Sequence, residues 1–230
     1  MRIHIGYINI SRIGGEKMID RSEIVIESKN GNTLHNMLLT HSEGANSVAV
    51  LFPGGNNSTD LPTLHYARKA SLLSGCDVLS LEYGYKIGVS TLRQPEVIKA
   101  VIDECYKAVN ECLEKNYKNI FFISKSIGHT VSFRLDDMLK DKVIKHICYT
   151  PINSHVPDII TRDCIVFTGT KDKWFSKQDV NELMKYPNIE IIQVENAAHS
   201  LEIDDDYRES IRILENITDK CAAYILKNIG

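Results

Sequence analysis

The sequence predicts an α/β domain: a mostly parallel sheet with helices on both faces, entered through an antiparallel hairpin. Short continuous apolar runs, such as Val48 to Phe52 and Ile120 to Ile123, read as strands buried on both faces. They alternate with longer stretches in which apolar residues recur every three or four positions, the signature of helices with one apolar face. A parallel neighbour can be reached only by a crossover, so this alternation builds a parallel sheet. Asn30-Gly31 between two strand-like runs supplies the hairpin.

Taken in order, Met1 to Asp20 fits no secretory signal, because Arg2, His4, Asn9 and Arg12 break up its apolar residues. Gly14-Gly15-Glu16-Lys17-Met18 can be encoded by a purine-rich run resembling a bacterial ribosome-binding site before a start codon. Starts at Met1 and at Met18 are therefore both open. Residues 1–21 are expected to be an extension and 22–230 a single domain. Glu23 to Ser28 and Thr33 to Thr40 form the hairpin. Val48 to Phe52 is a central strand ended by Pro53-Gly54-Gly55-Asn56-Asn57. Ser58, Thr59 and Asp60 offer caps for a helix over Leu61 to Ser74, which Gly75 ends. Asp77 to Leu81 is a strand, followed by a loop with Tyr83-Gly84-Tyr85.

Pro95 opens a long helix, with Val97, Ile98, Val101, Ile102, Cys105, Val109 and Cys112 on one face. After the strand at Ile120, a helix is expected from Thr130. Val143 to Tyr149 is a strand, and Thr150 to Asp163 an irregular connection. Ile165 to Thr168 is a strand, and Ser176 and Asp179 form a capping box for a helix reaching Lys185. Ile189 to Val194 is the last strand. Tyr207, Ile211, Leu214, Cys221 and Ile225 mark a final helix.

Composition narrows the function. A chain of 230 residues, 43% hydrophobic and 25% charged, suits one soluble domain. A net charge of −3 with scattered basic residues argues against a nucleic-acid surface. No apolar run approaches the ~20 residues needed for a membrane span. The six cysteines form no C-x-x-C pair and read as buried reduced thiols of a cytoplasmic protein. The histidines have no H-E-x-x-H spacing, so no metal is expected.

The chemistry centres on Ser124-Lys125-Ser126-Ile127-Gly128, between the strand at Ile120 and the next helix. A turn this tight requires small residues two before and two after its central serine. Ser124 and Gly128 meet that need and leave the Ser126 hydroxyl at the strand end. The turn resembles the nucleophile elbow of the α/β-hydrolases, G-x-S-x-G, with serine replacing the first glycine. The resemblance covers the chain from about Ser22 on. It implies the α/β-hydrolase fold and a nucleophile–acid–histidine order along the chain. Asp172 follows the strand at Ile165 in Gly169-Thr170-Lys171-Asp172, and His199 follows the last strand in Ala197-Ala198-His199. Taken singly, Asp172 reads as a turn aspartate and His199 as a loop histidine; the order and the strand-end positions make them a triad with Ser126. Glu195 is the alternative acid. Asp136 and Asp137 lie inside a helix, away from the strand ends.

The same resemblance implies an oxyanion hole from the N–H groups of Ile127 and Gly55, with Asn56 adjacent, Phe52-Pro53-Gly54-Gly55 standing where the family has an H-G-G type loop. Tyr83, Tyr85 and Trp174 are expected to contact a small-molecule acyl substrate. The connection over Thr150 to Asp163 is too short for a lid helix pair, so no sizeable cap domain is expected, although the Tyr83 loop could give partial cover. The implied function is serine hydrolysis of a carboxylic ester through an acyl-serine, a reaction that needs no cofactor. A peptidase or acyl-thioesterase on the same scaffold and a non-catalytic ligand-binding protein of the same fold are the alternatives.

Overall fold

The chain enters its sheet through three antiparallel strands, β1 (Arg2–Arg12), β2 (Gly15–Glu27) and β3 (Thr33–His41). The structure is a computed structural model that describes residues 2–12, 15–55 and 58–229. Strands and helices then alternate: β4 (Ser47–Phe52), α1 (Pro62–Leu73), β5 (Cys76–Ser80), α2 (Pro95–Leu113), β6 (Asn119–Lys125), α3 (Gly128–Met138), β7 (Ile144–Tyr149), α4 (Val156–Ile159), β8 (Cys164–Gly169), α5 (Lys177–Leu183), β9 (Ile189–Val194) and α6 (Tyr207–Lys227). The described strands form one sheet in the order β1-β2-β3-β5-β4-β6-β7-β8-β9. It is antiparallel as far as the β3–β5 pair and parallel from β5 to β9.

The hairpin forms as its Asn-Gly pair dictates. Ser28 N–H donates to Asn32 O at 2.9 Å and Gly31 N–H to Ser28 O at 3.0 Å. Gly31 has φ +86, a left-handed conformation that a residue without Cβ adopts cheaply. β2 starts earlier than the sequence suggests, because Asp20 and Arg21 disguise the alternation. Ile19 pairs with His41 and is buried, so the expected boundary at residue 22 falls inside a strand.

Period-two alternation distributes the central strands between two helical layers. Val48, Val50 and Phe52 of β4, with Ile120 and Phe122 of β6, pack on one face with Val101, Cys105 and Val109 of α2 and Val131 and Leu135 of α3. Ala49, Leu51, Phe121 and Ile123 face the opposite way. They join Leu64 and Ala67 of α1 and Ile213, Ile217, Cys221 and Ile225 of α6. That face of α6 differs from the expected stripe, since Tyr207 and Ile211 are exposed and Ile213 and Ile217 take their place. Val143 is 82% exposed and lies just outside β7. Pro62 opens α1 without a side-chain cap, so Ser58, Thr59 and Asp60 do not serve that role. The capping box at Ser176 and Asp179 is present in both directions.

All six cysteines are buried and free. The 150–163 connection contains only a 3-10 turn at Asn153–His155 and the single turn α4. It lies against the domain, with Ile159 in a core cluster with Phe133 of α3 and Val180 of α5. No sizeable cap is inserted there. Among the described residues no helix is long and apolar enough to cross a membrane.

Candidate active site

Ser126 stands between the end of β6 and the start of α3, with φ +51. A non-glycine residue adopts that conformation only where its surroundings hold it. Here Ser126 N–H donates to Tyr149 O at 3.0 Å on the neighbouring strand. Its carbonyl accepts from His129 N–H at 3.2 Å and from His129 Nδ1–H at 2.5 Å. The small flanking residues have the physical cause expected. A Cβ on Gly128 would fall 2.5 Å from Pro53 O and 2.7 Å from Phe52 O, both rigid backbone. Ser124 is fully buried, and its hydroxyl donates to Ser132 Oγ at 2.7 Å.

The acid and histidine loops are locked together before either side chain is considered. A Cβ on Gly169 would lie 2.0 Å from Ala197 O, so only glycine allows the two backbones to approach. Lys171 N–H donates to Ala197 O at 3.0 Å, and Asn196 N–H to Thr170 Oγ1 at 2.7 Å. On this frame His199 Nδ1 lies 2.8 Å from Asp172 Oδ2, and His199 Nε2 lies 2.8 Å from Ser126 Oγ. The second Asp172 oxygen accepts from Trp174 N–H at 2.8 Å, which fixes the carboxylate plane. Asp172 is buried while His199 is partly open to solvent. Glu195 is exposed, and Asp136 is engaged elsewhere by His146 and Arg162. Asp172 is therefore the carboxylate brought to the imidazole.

The loop after β4 lies beside the serine. A Cβ on Gly54 would be 3.5 Å from Ser126 Cβ and 3.3 Å from Lys125 O. One on Gly55 would be 3.2 Å from Ile87 O, so the segment after Tyr83 packs against this loop. Ile127 directly follows Ser126 and is buried. Asn56 lies outside the described residues.

The three aromatic residues expected at the substrate separate. Trp174 is 49% exposed and, with His199, lines an open cleft of about 600 Å³ whose rim carries Lys171, Lys173, Glu202 and Asp204. Tyr85 is half-buried and packs against the core. Tyr83, expected at the substrate, is 5% exposed and belongs to the core cluster of α2. A tyrosine just past a strand end is equally suited to cover the core or a pocket, and the sequence does not distinguish the two.

The cysteines offer no rival nucleophile. Burial pushes Cys76 and Cys221 up to about 12 and holds Cys105 and Cys148 well above the ordinary thiol range. Sequence reasoning overlooked Lys125, whose ammonium reaches Thr150 Oγ1 at 3.0 Å and His199 O at 3.2 Å. Its signal was a lysine closing an otherwise apolar strand immediately before the serine. Among the described residues no cluster of His, Cys, Asp and Glu has a metal-binding arrangement.

The chain matches no protein-family profile and no curated protein. Solved structures do match it. The esterase Pf2001 of Pyrococcus furiosus superposes with a TM-score of 0.65 at 15% identity, over 91% of this chain and 93% of that one. An α/β serine hydrolase without a lid, from Xanthomonas campestris, gives 0.61 at 15% identity, over 89% and 94%. Est1E of Butyrivibrio proteoclasticus, in a structure with ferulic acid bound, gives 0.67 at 13% identity, over 90% and 99%. With these likenesses and the strand order above, the chain has the α/β-hydrolase fold, without a sizeable cap domain.

Proposed function

We propose that this protein is a serine hydrolase that cleaves carboxylic esters through an acyl-serine intermediate. The observation that carries the reading is the continuous relay from Ser126 Oγ to His199 Nε2 and from His199 Nδ1 to Asp172, each link 2.8 Å long. A serine hydroxyl is a weak nucleophile at neutral pH, and this relay supplies what it lacks. His199 accepts the hydroxyl proton at Nε2 as Ser126 Oγ attacks the ester carbonyl. Asp172 holds the tautomer and stabilises the imidazolium that forms. The N–H groups of Ile127 and Gly55 receive the negative charge of the tetrahedral intermediate. His199 then gives its proton to the leaving alcohol, and water repeats the sequence on the acyl-serine. The esterase with a matching fold supports ester chemistry at the level of architecture only. The six buried free thiols fit a reducing compartment such as the cytoplasm.

Short acyl groups should be preferred. No cap covers the cleft, and each CH₂ left unburied forgoes about 0.8 kcal/mol. The test is labelling by a fluorophosphonate together with kcat/KM for p-nitrophenyl esters from acetate to palmitate. The expected result is label on Ser126, none on Ser126→Ala, and the highest kcat/KM for short chains. Label on another residue, or none on folded protein, overturns the mechanism and favours a binding protein. A rate climbing to palmitate overturns the open-site reading. Faster turnover of thioesters or aminoacyl amides would move the substrate class.

A further inference from the structure

We propose that Lys125 is a positioning residue of the hydrolytic site, its ammonium clamping the main chain of the histidine loop to the end of β7. The proposal rests on the hydrolase reading above. Lys125 is the last residue of β6, next to Ser126. Its Nζ donates to His199 O at 3.2 Å and to Thr150 Oγ1 at 3.0 Å. One cation thus joins the strand that carries the nucleophile, the strand beside it and the loop that carries the base.

The anchor just past β7 is itself unusual. Thr150 has φ +44, an outlier for a β-branched residue. Two bonds hold it there, its N–H to Phe167 O at 2.7 Å and the Lys125 contact to its hydroxyl. The histidine loop also carries strained residues, with Asn196 at φ +60 and Leu201 at φ +66. A loop of that kind needs external ties if the imidazole is to stay within hydrogen-bond reach of Ser126. Lys125 supplies a charge-assisted one.

The charge has consequences of its own. Loss of water draws the Lys125 ammonium down to about 8, against the pull of Asp172 on the acid loop and Glu202 on the histidine loop. The groups facing it are therefore Asp172, Glu202 and the His199 carbonyl, with His129 of α3 near enough to feel its field. A lysine poised near pH 8 keeps the clamp charged at neutral pH and discharges it in mild alkali. A hydrolase built on Ser126, His199 and Asp172 alone has no reason to slow there.

The experiment compares wild type, Lys125→Met and Lys125→Gln. Met removes both charge and donor; Gln keeps a neutral donor of shorter reach. The readouts are kcat and KM for p-nitrophenyl acetate from pH 5 to 10, and the downfield NMR resonance of the His199 Nδ1–H shared with Asp172. In wild type, kcat/KM should rise with pH and fall again above about pH 8. In both variants kcat should drop about tenfold or more with KM within about twofold. The alkaline fall should be absent in both, and the downfield proton broadened or lost. If the Met variant does not fold, the Gln variant gives the same reading. Variant profiles that superimpose on wild type, with the downfield proton unchanged, overturn the proposal. If wild type neither takes fluorophosphonate nor turns over ester, the hydrolase reading fails, and the downfield proton alone decides whether Lys125 holds the loop.

Discussion

At the scale of single residues, the site depends on which carboxylate reaches His199. Asp172 does so because Gly169 lets the acid loop press against Ala197, and because Trp174 N–H fixes its free oxygen. Asp172→Asn keeps the shape of the side chain but presents an amide that can donate to Nδ1, stabilising the wrong tautomer. The expected outcome is kcat lower by about 10³–10⁴-fold, with unfolding midpoint in urea close to wild type. Glu195→Gln, an exposed substitution away from the relay, should leave kcat within about twofold. Steady-state kinetics on the two variants decide the assignment, and the reverse ranking would move the acid to Glu195. The order Ser126, Asp172, His199 was legible in the sequence because each residue follows a strand and punctuates a turn. Lys125 and Thr150 were not legible as partners, since they are 25 positions apart and meet only through strand register.

At the scale of elements, α3 and the connection beneath it enclose three imidazoles. Burial pushes His129 well below the ordinary histidine range, lowers His155 to about 4, and outweighs the Asp136 contact that would raise His146. In the unfolded chain these groups take up protons near pH 6.5, and in the folded one they resist. The unfolded state therefore binds more protons below pH 6.5, and stability must fall as pH drops through that window. It is fully present above about 6.5 and continues to be lost down to about 4 for His155. Each histidine contributes up to about 1.4 kcal/mol per pH unit. Urea unfolding at pH 7.5, 6.5, 5.5 and 4.5 should show this slope before the carboxylates titrate, and a flat line to pH 4.5 would contradict it. The helix itself was legible from Thr130 on. That His129 of α3 faces inward, beside His146 of β7 and His155 of the connection, depends on α3 lying against β6 and the connection.

At the scale of the whole molecule, β1 is the outermost of the described strands, and among the described residues it pairs with β2. The β2–β3 pairing begins at Ile19 and His41, just inside Met18. A chain beginning at Met18 keeps every one of those pairs and the buried Ile19, so it should fold, label with fluorophosphonate and melt within a few degrees of the full chain. A large loss of stability in thermal unfolding would show that the segment before Met18 is structural. The sequence by itself determined the fold class, because buried parallel strands and one-faced helices each carry a local period, and turns carry their own residue types. It also determined the order Ser126, Asp172 and His199, because each follows a strand where the chain must turn. Only the tertiary structure decided that Tyr83 fills the core and Trp174 faces the cleft, that α6 turns Ile213 and Ile217 inward, and that the Lys125 ammonium reaches the His199 carbonyl. These depend on which strands become neighbours and how the helices rotate against them. They are contacts between distant segments, set by packing geometry rather than by any pattern along the chain.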